Sequence, residues 1–164
     1  MTIIVENGSV VAGANSYIDD AYLLAFALMM GITLPATEAE RNPLVFKAMD
    51  KVESFRKRFK GYKTTSTQLT QWPRQDVYID DMIFESNLIP TELKKSQAQY
   101  AIDAIDKALF ESNDGTNVKK EKLDVLEVEY FENGSYGEAV FAQAEAYIDE
   151  LLNRTANSYK LRKV

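Results

Sequence analysis

The apolar run from Ala21 to Met30 constrains the fold of this chain more than any other segment. It holds no charged side chain, yet it is only about half as long as a segment that crosses a bilayer. Ser16 and Asp19 have the spacing of a helix capping box, and Gly31 is the residue type that most often ends a helix. We therefore predict a helix from about Tyr17 to Met30. Because its apolar residues surround most of its circumference, it should lie at the centre of the core.

Three further helices are predicted. The second begins near Asn42, with Pro43 at its first position, unless Thr37 and Glu40 cap an earlier start. Its buried stripe is Val45, Met49, Val52, Phe55 and Phe59. The third follows Pro90 and runs from Thr91 to about Phe110, with an inner face formed by Leu93, Gln97, Tyr100, Ala101, Ala104, Ile105 and Ala108. The last spans about Tyr136 to Arg154 and directs Phe141, Ala144, Ile148 and Leu151 inward.

The apolar period changes between the third and the last helix. Leu126, Val128 and Tyr130 alternate with glutamates, which is typical of a strand with one wet face. Residues 118–123 can pair with this strand, which gives a β-ribbon at about 117–132. The predicted fold is thus mainly α, a bundle of about four helices with a short two-stranded β-ribbon insertion. It forms a single domain over residues 1–153, followed by a tail at 154–164.

The residue inventory narrows the chemistry. The chain contains neither histidine nor cysteine, so it lacks the usual general base, thiolate nucleophile and commonest metal ligands. We predict a protein that is not an enzyme and holds no cofactor and no metal. Asp76, Asp80 and Asp81 form the one acidic group considered for a cation, but no glycine-marked loop spacing accompanies them. The N-terminus lacks the positive region of a signal peptide, and we predict no membrane association.

The most basic segment, residues 55–63, has two interpretations. Cations interleaved with aromatic rings are what a single-strand binder uses on phosphates and bases. The candidates for such a site are Arg56, Lys57, Arg58, Lys60, Lys63, Trp72 and Arg74. The alternative is a solvated face at a helix C-terminus, where positive charge is favourable. A net charge of −6 argues for this second interpretation, because phosphate binding depends on positive surface.

The tail at 154–164 has two interpretations as well. It sets Lys160, Arg162 and Lys163 among Tyr159, Leu161 and a terminal valine. Chain ends are often disordered, but apolar residues spaced in this way are also typical of a docking peptide. The residue pattern leaves both alternatives open.

Several motifs, in order, resemble one known family. They are Ile4-Val5-Glu6-x-Gly8, Gln71-Trp72-Pro73-Arg74, Ile89-Pro90-x-x-Leu93-Lys94-x-x-Gln97, and Val118-Lys119 leading to Val128-Glu129-Tyr130-Phe131. The chain is similar over most of residues 1–132 to the small head–tail connector (adaptor) proteins of tailed bacteriophages. Members of this family are often labelled DnaT-like single-stranded DNA-binding proteins. The acid-rich segment Asp80-Asp81-Met82-Ile83 departs from the family pattern.

The resemblance implies a structural protein of the virion neck, present in the host cytoplasm during assembly. It implies a homo-oligomeric ring of about twelve copies closed by head-to-tail contacts, through which DNA passes without specific binding. The portal protein and a tail, stopper or nozzle protein are the implied partners. Candidate contacts with the portal or with neighbouring subunits are Tyr159, Leu161, Arg162 and Lys163 in the tail and Val118, Leu126, Val128 and Tyr130 in the ribbon. The alternative function is single-stranded DNA binding.

Overall fold

The computed structural model describes residues 2–110, 120–123, 126–129 and 141–153. The chain divides into two compact units. The first comprises Met1–Leu109 with Phe141–Val164, and the second comprises Phe110–Val140. In the described part of the chain, no helix is long and apolar enough to cross a membrane.

Helix α1 spans Asp20–Met30 and begins after the predicted Tyr17. Asp19 alone caps it, through a 2.8 Å hydrogen bond that its carboxylate accepts from a backbone N–H of the first turn. Gly31 ends the helix as predicted, with a left-handed φ of 68°. Fewer residues of α1 are buried than predicted for a helix at the centre of the core. Only Leu23, Phe26 and Ala27 lie there.

Helix α2 spans Glu38–Ser54 and is followed by a 3-10 turn at Phe55–Lys57. Of the two predicted starts, the earlier one is correct. The Glu40 carboxylate accepts a 3.1 Å hydrogen bond from the backbone N–H of Thr37, as a capping box requires. Pro43 consequently lies inside the helix rather than at its first position.

Helices α3 and α4 complete the first unit. Helix α3 spans Thr91–Asp103 and is shorter than predicted. Beyond Asp103 a hydrogen bond of the 3-10 type appears, in which the N–H of Ile105 donates to the carbonyl of Ile102, three residues earlier. Helix α4 spans Ala142–Ile148, with a 3-10 turn at Asp149–Leu151. The predicted inward residues of this last segment, Phe141, Ala144, Ile148 and Leu151, are all buried.

A buried glutamine links three segments of the core. The side chain of Gln97 on α3 is fully buried. Its Nε2 donates to the Ser16 hydroxyl at 2.8 Å and to the Val45 carbonyl at 3.2 Å, while its Oε1 accepts from the N–H of Tyr17 at 2.9 Å. One amide of α3 thereby satisfies polar groups of α2 and of the segment before α1.

The predicted helix bundle is wrong as a fold class. Besides four α-helices, the described residues form three two-stranded antiparallel sheets, so the protein is a mixed α and β protein. Two of these sheets lie between α2 and α3, where the sequence pattern predicted no strand. Their strands have two residues each, too short for alternation to be recognised. The strands are β1 Tyr62–Lys63, β2 Arg74–Gln75, β3 Tyr78–Ile79, β4 Met82–Ile83, β5 Lys120–Leu123 and β6 Leu126–Glu129.

The second unit contains the β-ribbon. Strands β5 and β6 pair antiparallel, with Lys120 opposite Glu129 and Leu123 opposite Leu126. This pairing confirms the predicted ribbon over the residues that the structure describes. Among the β elements that the structure describes, periodicity located only the ribbon, because its strands are long enough to alternate.

Candidate functional site

The exposed basic residues lie just beyond the end of α2. Arg56, Lys57 and Arg58 are all exposed, and we call them the basic turn. The Arg58 guanidinium lies 5.5 Å from the centre of the Phe55 ring, a distance within the range of a cation–π contact. Phe55 itself is only half-buried, whereas Phe59 is in the core as predicted.

Lys60 and Lys63, the other two cations of residues 55–63, have partners within the protein. The Lys60 ammonium lies 3.1 Å from the Glu150 carboxylate and donates to the Tyr78 carbonyl, also at 3.1 Å. The Lys63 ammonium donates to the Gln68 carbonyl at 3.1 Å. Both lysines are half-buried, so they are less available to a phosphate than the basic turn.

Trp72 lies in the interior rather than at a surface. Its side chain is 0% exposed, and the rings of Phe59 and Phe84 meet it edge-on with centroids 6.0 Å away. The peptide bond between Trp72 and Pro73 is cis. A nucleic-acid base cannot stack on this indole while the core is intact, because no face of it reaches solvent.

A buried polar network holds the backbone at Trp72. The Tyr17 hydroxyl donates to the Glu53 carboxylate at 2.5 Å and accepts from the N–H of Trp72 at 3.0 Å. The same carboxylate accepts from the N–H of Gln71 at 3.0 Å. Burial raises the pKa of Glu53. Burial also raises the pKa of Tyr17 well above its ordinary value, and the neighbouring Glu53 raises it further.

Arg74 stabilises the backbone from within. It is buried, and its guanidinium donates to the carbonyls of Lys60 at 2.7 Å, Gly61 at 2.6 Å and Gln71 at 3.3 Å. Burial lowers the pKa of Arg74. Of the seven nucleic-acid candidates, the structure therefore leaves only the three residues of the basic turn exposed. Trp72 and Arg74 are parts of the core.

The three aspartates that could have held a cation do not form a metal-binding group. Asp76, Asp80 and Asp81 are exposed, and each has a positive φ between 51° and 61°. In the part of the chain that the structure describes, no group of three or more acidic, histidine or cysteine side chains is placed to hold a metal ion.

Helix α1 presents an apolar surface that the sequence did not predict. Leu28 is 81% exposed and Met29 is 77% exposed, while Leu24 and Met30 are each about 40% exposed. Ala21, Leu24, Ala25 and Leu28 follow the i, i+3, i+4, i+7 spacing of one helix face. We call these four residues with Met29 the α1 face. The run without charged residues from Ala21 to Met30 is the sequence signal for the α1 face, but the same pattern also predicts a core helix.

The predicted portal and subunit contacts fall largely outside the described residues. Tyr159, Leu161, Arg162, Lys163, Val118 and Tyr130 all lie there. Leu126 and Val128 belong to β6, where the structure describes the backbone. The structure consequently neither gathers these candidates into one site nor separates them.

One comparison with known proteins gives a match. A family model described as "Putative DnaT-like ssDNA binding protein" matches residues 1–164. No curated protein and no solved structure matches the chain.

Proposed function

The chain belongs to the DnaT-like ssDNA-binding protein family, and from this premise we propose that it is a structural subunit that acts by binding other protein subunits. Its proposed role is that of a head–tail connector of a tailed bacteriophage, which forms a ring under the portal and joins capsid to tail. In this role it performs no catalysis. The proposal departs from the words of the family description, so single-stranded DNA binding is the second candidate.

The α1 face is the observation that carries the proposal. Soluble monomers rarely expose large contiguous apolar patches, and those that exist are often protein contacts. Leu28 and Met29 project from a helix face that has no charged residue. The small residues Ala21 and Ala25 on the same face would allow another helix to approach closely. A protein partner covers such a surface better than a polyanion does.

Charge supports the same role. The net charge of −6 and the burial of Trp72 and Arg74 leave little surface that would hold DNA. A channel lined with negative charge would let DNA move, because it does not attract phosphates. A ring whose lumen was lined by the basic turn would contradict this part of the proposal.

The test is assembly with the portal protein of the same phage. We expect rings by electron microscopy when the two purified proteins are mixed. Leu28→Glu should abolish them, because it places a charge in the subunit contact, and it should change the free energy of unfolding by less than about 0.5 kcal/mol.

Ser66→Glu is the matched control, since Ser66 is also exposed and the variant adds the same charge elsewhere. It should assemble like the unmodified protein. Rings that form equally well with Leu28→Glu would remove the α1 face from the interface. The absence of rings with any portal mixture would overturn the connector role.

Single-stranded DNA binding is favoured by two observations. The family description names it, and the basic turn is an exposed group of three cations beside the half-buried ring of Phe55. Three cations can neutralise phosphates, and one ring can support one base. The site is small by comparison with a channel that tracks a strand.

An oligonucleotide titration separates the two functions. If the basic turn binds DNA, Lys57→Glu should weaken capture of a fluorescent oligothymidylate. It should also reduce the slope of log affinity against log salt concentration by about 0.7 per lost phosphate contact. Lys47→Glu is the matched control, because Lys47 is an exposed lysine of α2. The connector role predicts weak binding that Lys57→Glu and Lys47→Glu change equally.

A further inference from the structure

The β3–β4 hairpin has one unpartnered apolar face. Tyr78 of β3 lies directly opposite Ile83 of β4, so the two side chains stand on the same side of the sheet. Tyr78 is 55% exposed and Ile83 is 66% exposed. We call this pair the hairpin face. On the opposite side Val77 is buried and Phe84 contacts Trp72, whereas Met82 near the turn is 69% exposed.

Four exposed carboxylates lie beside the hairpin face, and the one cation near it in the described part of the chain, Lys60, is already paired with Glu150. Asp80 and Asp81 form the hairpin turn, and Asp76 and Glu85 line a groove of about 670 Å³ together with Ile83. All four carboxylates are exposed, and none forms an ion pair with a residue that the structure describes. An apolar face within an acidic border favours an occupant with apolar and basic residues.

The described chain ends beside this face. Asn153 lines a second cavity, of about 280 Å³, together with Tyr78, Asp76 and Asp81. It is held there by a 2.6 Å hydrogen bond from its N–H to the Arg58 carbonyl. An extended chain advances about 3.3 Å per residue, so Tyr159 lies at most roughly 20 Å of chain away from Asn153.

We propose that the chain's own segment 159–164 docks on the hairpin face. Its sequence, Tyr-Lys-Leu-Arg-Lys-Val, supplies three apolar side chains for Tyr78 and Ile83. Its three cations match the acidic border, and long basic side chains can lie along an apolar surface while their charges reach the carboxylates.

The same copy is the favoured source of the segment. A tether of a few residues gives an effective concentration in the millimolar range, which another copy in dilute solution cannot match. This inference is independent of the connector role. It has a consequence for that role, since Tyr159, Leu161, Arg162 and Lys163 are also the predicted portal contacts. The portal and the hairpin face would then compete for one segment.

Carbodiimide cross-linking of the full-length protein tests the proposal. An equal mixture of ¹⁴N- and ¹⁵N-labelled protein is treated at low salt, and cross-linked peptides are identified by mass spectrometry. We expect Lys160 or Lys163 joined to Asp80, Asp81 or Glu85, with both peptides carrying the same isotope. The double variant Tyr78→Ser, Ile83→Ser keeps every carboxylate and should lower the yield about fivefold.

Leu69→Ser is the matched control, since it removes an exposed leucine that belongs to neither the α1 face nor the hairpin face and should leave the yield unchanged. Three results would overturn the proposal. They are cross-links of mixed isotope, which would mean that another copy supplies the segment, a yield that the double variant does not lower, and lysines of the tail that join no carboxylate of this border.

Discussion

At the scale of single residues, the clearest feature is a half-buried carboxylate, that of Glu53, which is hydrogen-bonded to the core. Glu53 lies in the last turn of α2 and is not one of the apolar residues of its stripe. Its partners Tyr17 and Gln71 are 36 and 18 residues away in sequence. Local pattern therefore could not reveal it. Since the Tyr17 hydroxyl also accepts from the Trp72 backbone, this one carboxylate helps to position the residue that sequence analysis assigned to nucleic acid.

The raised pKa of Glu53 predicts how stability depends on pH. The folded state holds this proton more tightly, so the free energy of unfolding falls as pH rises from the unfolded pKa of about 4.3 to the folded pKa. Each unit of the rise corresponds to about 1.4 kcal/mol. Glu53→Gln lacks this ionisation. Its free energy of unfolding in urea, relative to that of the unmodified protein, should increase between about pH 4 and pH 7.

Asp50→Asn is the control for that measurement, because Asp50 is an exposed carboxylate on the same helix, without an ion pair among the described residues. Its difference from the unmodified protein should change less over the same range. A Glu53→Gln difference that stays constant with pH would mean that hydrogen bonds to the carboxylate offset its burial.

At the scale of elements, the sequence predicted where helices begin and end better than it predicted which of their faces are buried. Gly31 ended α1 as predicted, and Thr37 with Glu40 capped α2, because caps are local chemistry. The two-residue strands around Arg74 were missed, since a guanidinium that binds three carbonyls leaves no periodic signal. The outward α1 face was missed for another reason. A helix without charges is typical both of a core and of an uncovered interface.

Two glycines with similar φ angles separate backbone strain from steric contact. Gly31 has a φ of 68°, and a Cβ there would meet nothing within 4 Å. Gly61 has a φ of 63°, but a Cβ there would lie 2.0 Å from the Gln75 carbonyl oxygen. Gly31→Ala should cost about 1 kcal/mol. Gly61→Ala should cost at least about 2 kcal/mol more, because β1 and β2 must separate.

Urea unfolding of both variants measures this difference directly. Equal losses would mean that the backbone near Gly61 moves enough to admit a methyl group. A larger loss for Gly31→Ala would mean that the end of α1 is packed more tightly than its open surroundings indicate.

At the scale of the whole molecule, several charged side chains lie in the interior while several large apolar side chains lie on the surface. Arg41, Lys51 and Arg74 are buried, while Leu28, Met29 and Ile83 are exposed. Composition alone cannot separate these two groups, because the assignment depends on contacts between distant segments. The family match covers residues 1–164, and the resemblance to connector proteins covers most of residues 1–132. Assembly experiments test both at the scale of the whole chain.

The Gln97 amide has a consequence for the order of events during synthesis. Ser16 leaves the ribosome 81 residues before its partner, which at bacterial rates is a delay of roughly 4 to 16 s. During that interval the hydrogen bonds between Gln97 and the N-terminal segment cannot form. The native topology is therefore completed late, after the third helix has emerged.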